Sequence, residues 1–153
     1  MILRAVLSFV VLLASMSLPQ PTTFELMRRL SPDESIVSDE RIALYAGEID
    51  LTSLEFGIDR RTLIITAFNE SNFHPSVSNV MQISRPWSVD PEGPGYCRMA
   101  RRNPLASIRC GGYIYSKCEE RFRGENVLVC WAGFHIDREA YLKEFKKRWK
   151  ILT

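Results

Sequence analysis

At 153 residues, with 46% hydrophobic and 25% charged side chains, the chain suits one globular domain whose core needs no metal staple. A formal net charge of +2 excludes the strong basic surplus of a nucleic-acid-binding domain.

Arg4 is the only charge before Glu25, residues 5–13 are apolar apart from Ser8, and the small residues Ala14, Ser15 and Ser17 follow. This order predicts a signal peptide over 1–18, with an uncleaved anchor as the alternative. Either way the protein is expected to be exported, in the periplasm or cell envelope, with membrane contact through its N-terminus. The apolar run falls short of the roughly 20 residues of a comfortable membrane span.

Residues 19–153 are expected to form a single, mostly α domain. One or two helical turns over Phe24–Leu30 end at Ser31-Pro32. Ile36, Val37, Ile42, Ala43, Leu44 and Ala46 give a helical stripe over 33–47, with Gly47 as its stop. Asp59 can cap a helix over 60–70 whose face is Leu63, Ile64, Ala67 and Phe68. The β-branched residues Thr62, Ile64, Ile65 and Thr66 leave a strand as the alternative there, and Pro75 cannot continue the helix.

Residues 76–102 hold Pro86, Pro91, Gly93, Pro94 and Gly95, which predicts an irregular loop. Asn103-Pro104 opens a helix to about Arg123, Gly124 breaks it, and 126–132 forms a second, apolar one. A final amphipathic helix spans 137–150, with Tyr141, Leu142, Phe145 and Trp149 on one face. Its basic back suits water, or contact with an anionic envelope polymer or membrane.

Cys97, Cys110, Cys118 and Cys130 are an even set in a chain expected to be exported, which suggests disulfides. No C-x-x-C pair supports zinc, and neither metal nor cofactor is expected. On a continuous helix Cys110 and Cys118 lie roughly 12 Å apart, too far for a bond that needs about 7 Å or less. That excludes this pair and, with it, Cys97–Cys130. A hairpin folded at Gly124 sets Cys118 opposite Cys130, whereas Cys110 would face a position near 138. The expected pairs are therefore Cys118–Cys130 and Cys97–Cys110.

Glu70 is the candidate for chemistry. It ends an apolar helix and is flanked by Phe68 and Phe73, so its carboxyl should be partly desolvated and its pKa raised. A carboxyl that keeps its proton near neutral pH can protonate a glycosidic oxygen. His74 and His135 are too few for a histidine metal site and are read as structural or solvent-facing.

Phe56-Gly57-Ile58-Asp59, then Glu70-Ser71-Asn72-Phe73-His74-Pro75, resembles the opening of the lytic transglycosylase domain of the lysozyme-like superfamily. Further motifs follow in the family's order. Val80-Met81-Gln82-Ile83 resembles Gly-Leu-Met-Gln-Ile. Asn103-Pro104 with Ile108-Arg109-Cys110-Gly111-Gly112-Tyr113-Ile114 resembles a later helix. Trp131-Ala132-Gly133 resembles the end of Tyr-Asn-Ala-Gly. The match spans about 42–134. Asn79 and Val80 stand where Gly and Leu are expected, the segment between Glu70 and Gln82 is short, and Cys130-Trp131 replaces Tyr-Asn.

The resemblance implies a lysozyme-like helical domain with a loop-rich segment lining a sugar cleft. It implies cleavage of peptidoglycan between N-acetylmuramic acid and N-acetylglucosamine, giving a 1,6-anhydro product. Glu70 would be the catalytic acid and base, and Ser71, Met81, Gln82, Tyr113 and Trp131 would meet the substrate. Trp87 and Tyr96 join Tyr113 as candidates for stacking on sugar faces. The nearest kinds of relative would be the small exported enzymes of secretion and pilus systems, which makes such machinery an expected partner, and phage lysis enzymes. A hydrolytic lysozyme, or an inactive peptidoglycan-binding module, is the alternative on the same fold.

Overall fold

The computed structural model describes residues 19–133 and 137–153; the expected signal segment and His135 lie outside the described residues. Every regular element described is a helix. These are α1 (Thr23–Leu30), α2 (Asp39–Phe56), α3 (Arg60–Ser71), α4 (Arg85–Val89), α5 (Gly95–Met99), α6 (Pro104–Arg121), α7 (Glu125–Ala132) and α8 (Arg138–Leu152). None of them is long and apolar enough to cross a membrane.

Caps fix most of the helix starts. Thr22 and Glu25 form a reciprocal capping box on α1. Ser38, Asp59, Asn103 and Asp137 each accept from an exposed amide of the helix that follows. The cap at Ser38 moves the start of α2 to Asp39, later than the sequence suggests, and Asp33 instead makes a local turn with Ser35. Gly47 does not stop this helix, which runs on to Phe56. Ile49 and Thr52 continue the buried stripe past Gly47, and that burial outweighs the roughly 1 kcal/mol that a mid-helix glycine costs. The chain turns instead at Gly57, with a φ of 67°. There Ser53 Oγ donates to the Ile58 carbonyl at 2.6 Å.

The center of the fold is α3, with α1, α2, α6 and α8 packed against it. Thr62, Leu63, Ile64, Ile65, Thr66 and Ala67 are all buried. A helix buried on every side reads as a continuous apolar run, which is why the sequence alone leaves strand as an alternative. The Thr66 hydroxyl donates to the carbonyls of Thr62 and Leu63, so it enters the core satisfied.

The segment expected to be irregular holds two five-residue helices, α4 and α5. Pro86 sits at a first-turn position of α4, where its missing N–H costs nothing. Both expected disulfides are present. Cys97–Cys110 ties α5 to α6 and Cys118–Cys130 ties α6 to α7, with Cα separations of 5.0 and 5.8 Å.

Gly111 and Gly112 let α6 approach its neighbors closely. A Cβ on Gly111 would lie 2.5 Å from Met81 Cε. One on Gly112 would overlap the Thr52 methyl and lie 2.9 Å from a Phe56 ring carbon. Thr52 is buried on α2 and cannot swing aside. Gly112→Ala is therefore expected to destabilize the fold by about 1–3 kcal/mol despite its better helix propensity, as read by urea unfolding.

Candidate active site

The last turn of α3 carries Glu70 out of the core. Asn72 and Phe73 then take left-handed backbone conformations, with φ of 50° and 56°. For a bulky residue such as Phe73 that is an unfavorable state, and it persists only where its surroundings enforce it. Here they do. Phe73 is fully buried, with its ring edge-on to Phe68 at 5.4 Å and tilted against Tyr45 at 6.4 Å. Ser71 Oγ donates to the Ala67 carbonyl and accepts from the Phe73 N–H. Both uses of this hydroxyl are local, so Ser71 positions the end of the helix that bears Glu70.

Glu70 lies in an open groove of 420 Å³ between α3 and α8. Asn69 and Glu70 form one wall, and Asp137, Tyr141, Glu144 and Arg148 form the other. Burial alone pushes the Glu70 carboxyl up from 4.5 to about 7. Among the described residues no cation offsets this, because Arg148 is bound to Glu144 at 2.7 Å and lies over the Phe68 ring. Asp137 is likewise engaged, capping α8 through the Ala140 N–H at 3.1 Å.

Next to Glu70 are buried polar atoms without partners. The Asn69 amide nitrogen and oxygen and the Tyr141 hydroxyl make no hydrogen bond among the described residues. The Asn69 side chain faces the Tyr141 hydroxyl within hydrogen-bonding reach, without closing a bond of good geometry. Burial, together with the Glu70 charge, raises the Tyr141 pKa by more than Asn69 lowers it, so its hydroxyl remains a neutral donor. Orphaned polar groups like these are costly unless something else satisfies them.

The other residues expected to meet the substrate lie elsewhere, and none of them lines this groove. Met81 is buried beneath Gly111, and its N–H donates to Ser107 Oγ at 2.9 Å. Trp131 Nε1 donates to the Gly111 carbonyl at 3.1 Å, fastening α7 to α6. Met81 and Trp131 thus converge on Gly111. Tyr113 meets the Trp87 ring edge-on at 6.4 Å, and Lys117 lies over its face. Tyr96 is covered by the Arg109 guanidinium, which pairs with Glu55 at 2.8 Å. Gln82 is exposed, with a left-handed φ of 49°.

Asn79 closes the loop between Glu70 and α4. Its side chain brackets Ile83, accepting from the N–H at 2.7 Å and donating to the carbonyl at 3.0 Å. It also accepts from Ser107 at 3.0 Å, which binds the turn to α6. His74 is exposed and pairs with Ser76. Among the described residues, no cluster of three His, Cys, Asp or Glu side chains could hold a metal.

Sequence reasoning anticipated the desolvated carboxyl of Glu70 but not the opposite wall of its groove. The signal was present: Asp137, Tyr141, Glu144 and Arg148 recur at helical spacing along one flank of the final helix. Compared with models of known families, with curated proteins and with solved structures, the chain has no match, so any functional reading rests on the geometry of the Glu70 groove and the order of its motifs.

Proposed function

We propose that the chain cleaves peptidoglycan glycan strands between N-acetylmuramic acid and N-acetylglucosamine by lytic transglycosylation, on a lysozyme-like helical domain in the cell envelope. The observation that carries this reading is Glu70, a carboxyl with no charged partner among the described residues, raised to about 7 by burial and open to a groove. The Glu-Ser-x-Phe-x-Pro order around it adds support.

The protonated Glu70 gives its proton to the glycosidic oxygen as the bond from that oxygen to the sugar's C1 breaks. The sugar's own 6-hydroxyl then closes on C1, and its proton goes to the Glu70 carboxylate. Proton and charge return to their starting places, and no second carboxylate is needed. Tyr141 lies where a neutral donor can steady the carboxylate between these steps. Tyr141→Phe is expected to lower turnover about tenfold, the value of one lost hydrogen bond in the transition state. The same change should leave the melting temperature nearly unchanged, because the hydroxyl it removes closes no hydrogen bond among the described residues.

One feature favors hydrolysis as a second reading: Asp137 and Glu144 share the groove with Glu70. Either could hold a water, although both already have partners. Mass spectrometry of muropeptides after digestion of purified sacculi separates the readings. Anhydro ends support transglycosylation, reducing ends support hydrolysis, and no cleavage removes both.

A further inference from the structure

The opposite flank of α8 forms a second groove, against α7. Its volume is 450 Å³, and its floor is Leu128, Leu142, Phe145 and Trp149. The Phe145 and Trp149 rings stack at 5.9 Å, and the Arg61 guanidinium lies 4.5 Å over Trp149. Lys146 and Lys150 rim this groove, and Lys143 and Lys147 line the depression beside it. Of these four lysines, only Lys146 has an ion-pair partner among the described residues, Glu125 at 2.5 Å; Glu139 also lines the depression, so four lysines face two carboxylates there.

An apolar slot edged by lysines complements a ligand with a hydrocarbon part and an anionic head. A soluble polyanion would use the lysines but would gain nothing from a floor of two leucines and two aromatic rings. The chain's path favors the same partner. Gln20 and Pro21 line one depression with Leu152 and Thr153, so the apolar segment that precedes Pro19 in the sequence joins the fold beside the C-terminal end of α8.

We propose that the α7–α8 groove docks the protein on anionic phospholipid membranes, with an acyl chain seated over Phe145 and Trp149 and phosphates on Lys143, Lys147 and Lys150. This goes beyond the reading of Glu70, which lies on the other flank of α8.

The test uses the full chain and two sets of vesicles, phosphatidylglycerol and phosphatidylcholine, both carrying bromine on their acyl chains. Wild type is expected to bind the phosphatidylglycerol vesicles preferentially, with quenching of tryptophan fluorescence. The triple change K143Q, K147Q and K150Q should weaken that binding at least tenfold, since each lysine near an anionic surface adds to the attraction. These side chains are exposed, so the fold should survive, which circular dichroism would check. W149F should retain most of the binding but lose the quenching. Equal binding to both vesicles, unchanged binding by the triple variant, or unchanged quenching in W149F would each overturn the proposal. So would lysine-dependent binding of soluble polyphosphate without binding to vesicles, which would point to an acidic polymer instead.

Discussion

Glu70→Gln should abolish glycan release and, at the same time, make the protein more stable above neutral pH. The amide keeps the shape of the carboxyl but has no proton to give. Loss of general acid catalysis typically costs on the order of 10²–10⁴ in rate, and here one group serves both steps. The stability gain follows from the raised carboxyl. Between 4.5 and about 7 the folded chain holds a proton that the unfolded chain has released. Stability therefore falls as pH rises through that window and is flat above it. The groove is open to water, which moderates the effect, so at pH 8 the amide should stabilize the fold by about 1–2 kcal/mol. Wild-type cleavage should decline as pH rises through about 7, where Glu70 loses its proton. Muropeptide release and urea unfolding of both proteins across pH 5–9 check all of this. Equal turnover by wild type and Glu70→Gln would remove Glu70 from the chemistry.

Reduction of both disulfides should unfold the protein or bring it close to unfolding. Each bond closes a short loop, with sequence separations of 13 and 12 residues. Chain-entropy arguments give about 3 kcal/mol for a loop of this size. Losing both therefore removes roughly 6 kcal/mol, against a total stability of about 5–15 kcal/mol for an ordinary domain. The two bonds should not open together. Cys97 and Cys110 are both buried, whereas Cys130 is half-exposed. Mild reductant should free Cys118 and Cys130 first, and the loss of Cys97–Cys110 should then accompany global unfolding. Thiol labeling during a reductant titration, read with circular dichroism, follows both events. A chain that keeps its melting temperature with four free thiols would show that the bonds contribute little.

Helix identity was legible in the sequence wherever caps and stripes agreed. Asp59, Asn103 and Asp137 marked true starts, and Gly124 a true break, with a φ of 58°. The disulfide pairs followed from a continuous α6 and that break. Gly47 misled because local propensity is weak beside the burial of Ile49 and Thr52. The short helices α4 and α5 were hidden because five residues between prolines carry no periodicity. The desolvation of Glu70 was legible because its apolar helix and flanking phenylalanines are contiguous in sequence. The opposite wall of its groove comes from a helix more than sixty residues later: the polar flank of that helix is legible, but nothing in the sequence pairs it with Glu70. Ser71 was half legible: its hydroxyl lies where expected, at the helix end, but its two hydrogen bonds go to the Ala67 carbonyl and the Phe73 N–H.

Gln20 and Thr153 line the same depression, which makes the fold nearly a closed ring. A short linker between them would complete that ring, and the exposed turn at Pro91-Glu92 offers a place to reopen it. Such a circular permutant would carry its new termini between α4 and α5, on neither wall of the Glu70 groove. Any apolar leader attached there would be moved away from α8, so the contributions of leader and helix to location could be separated without deleting either.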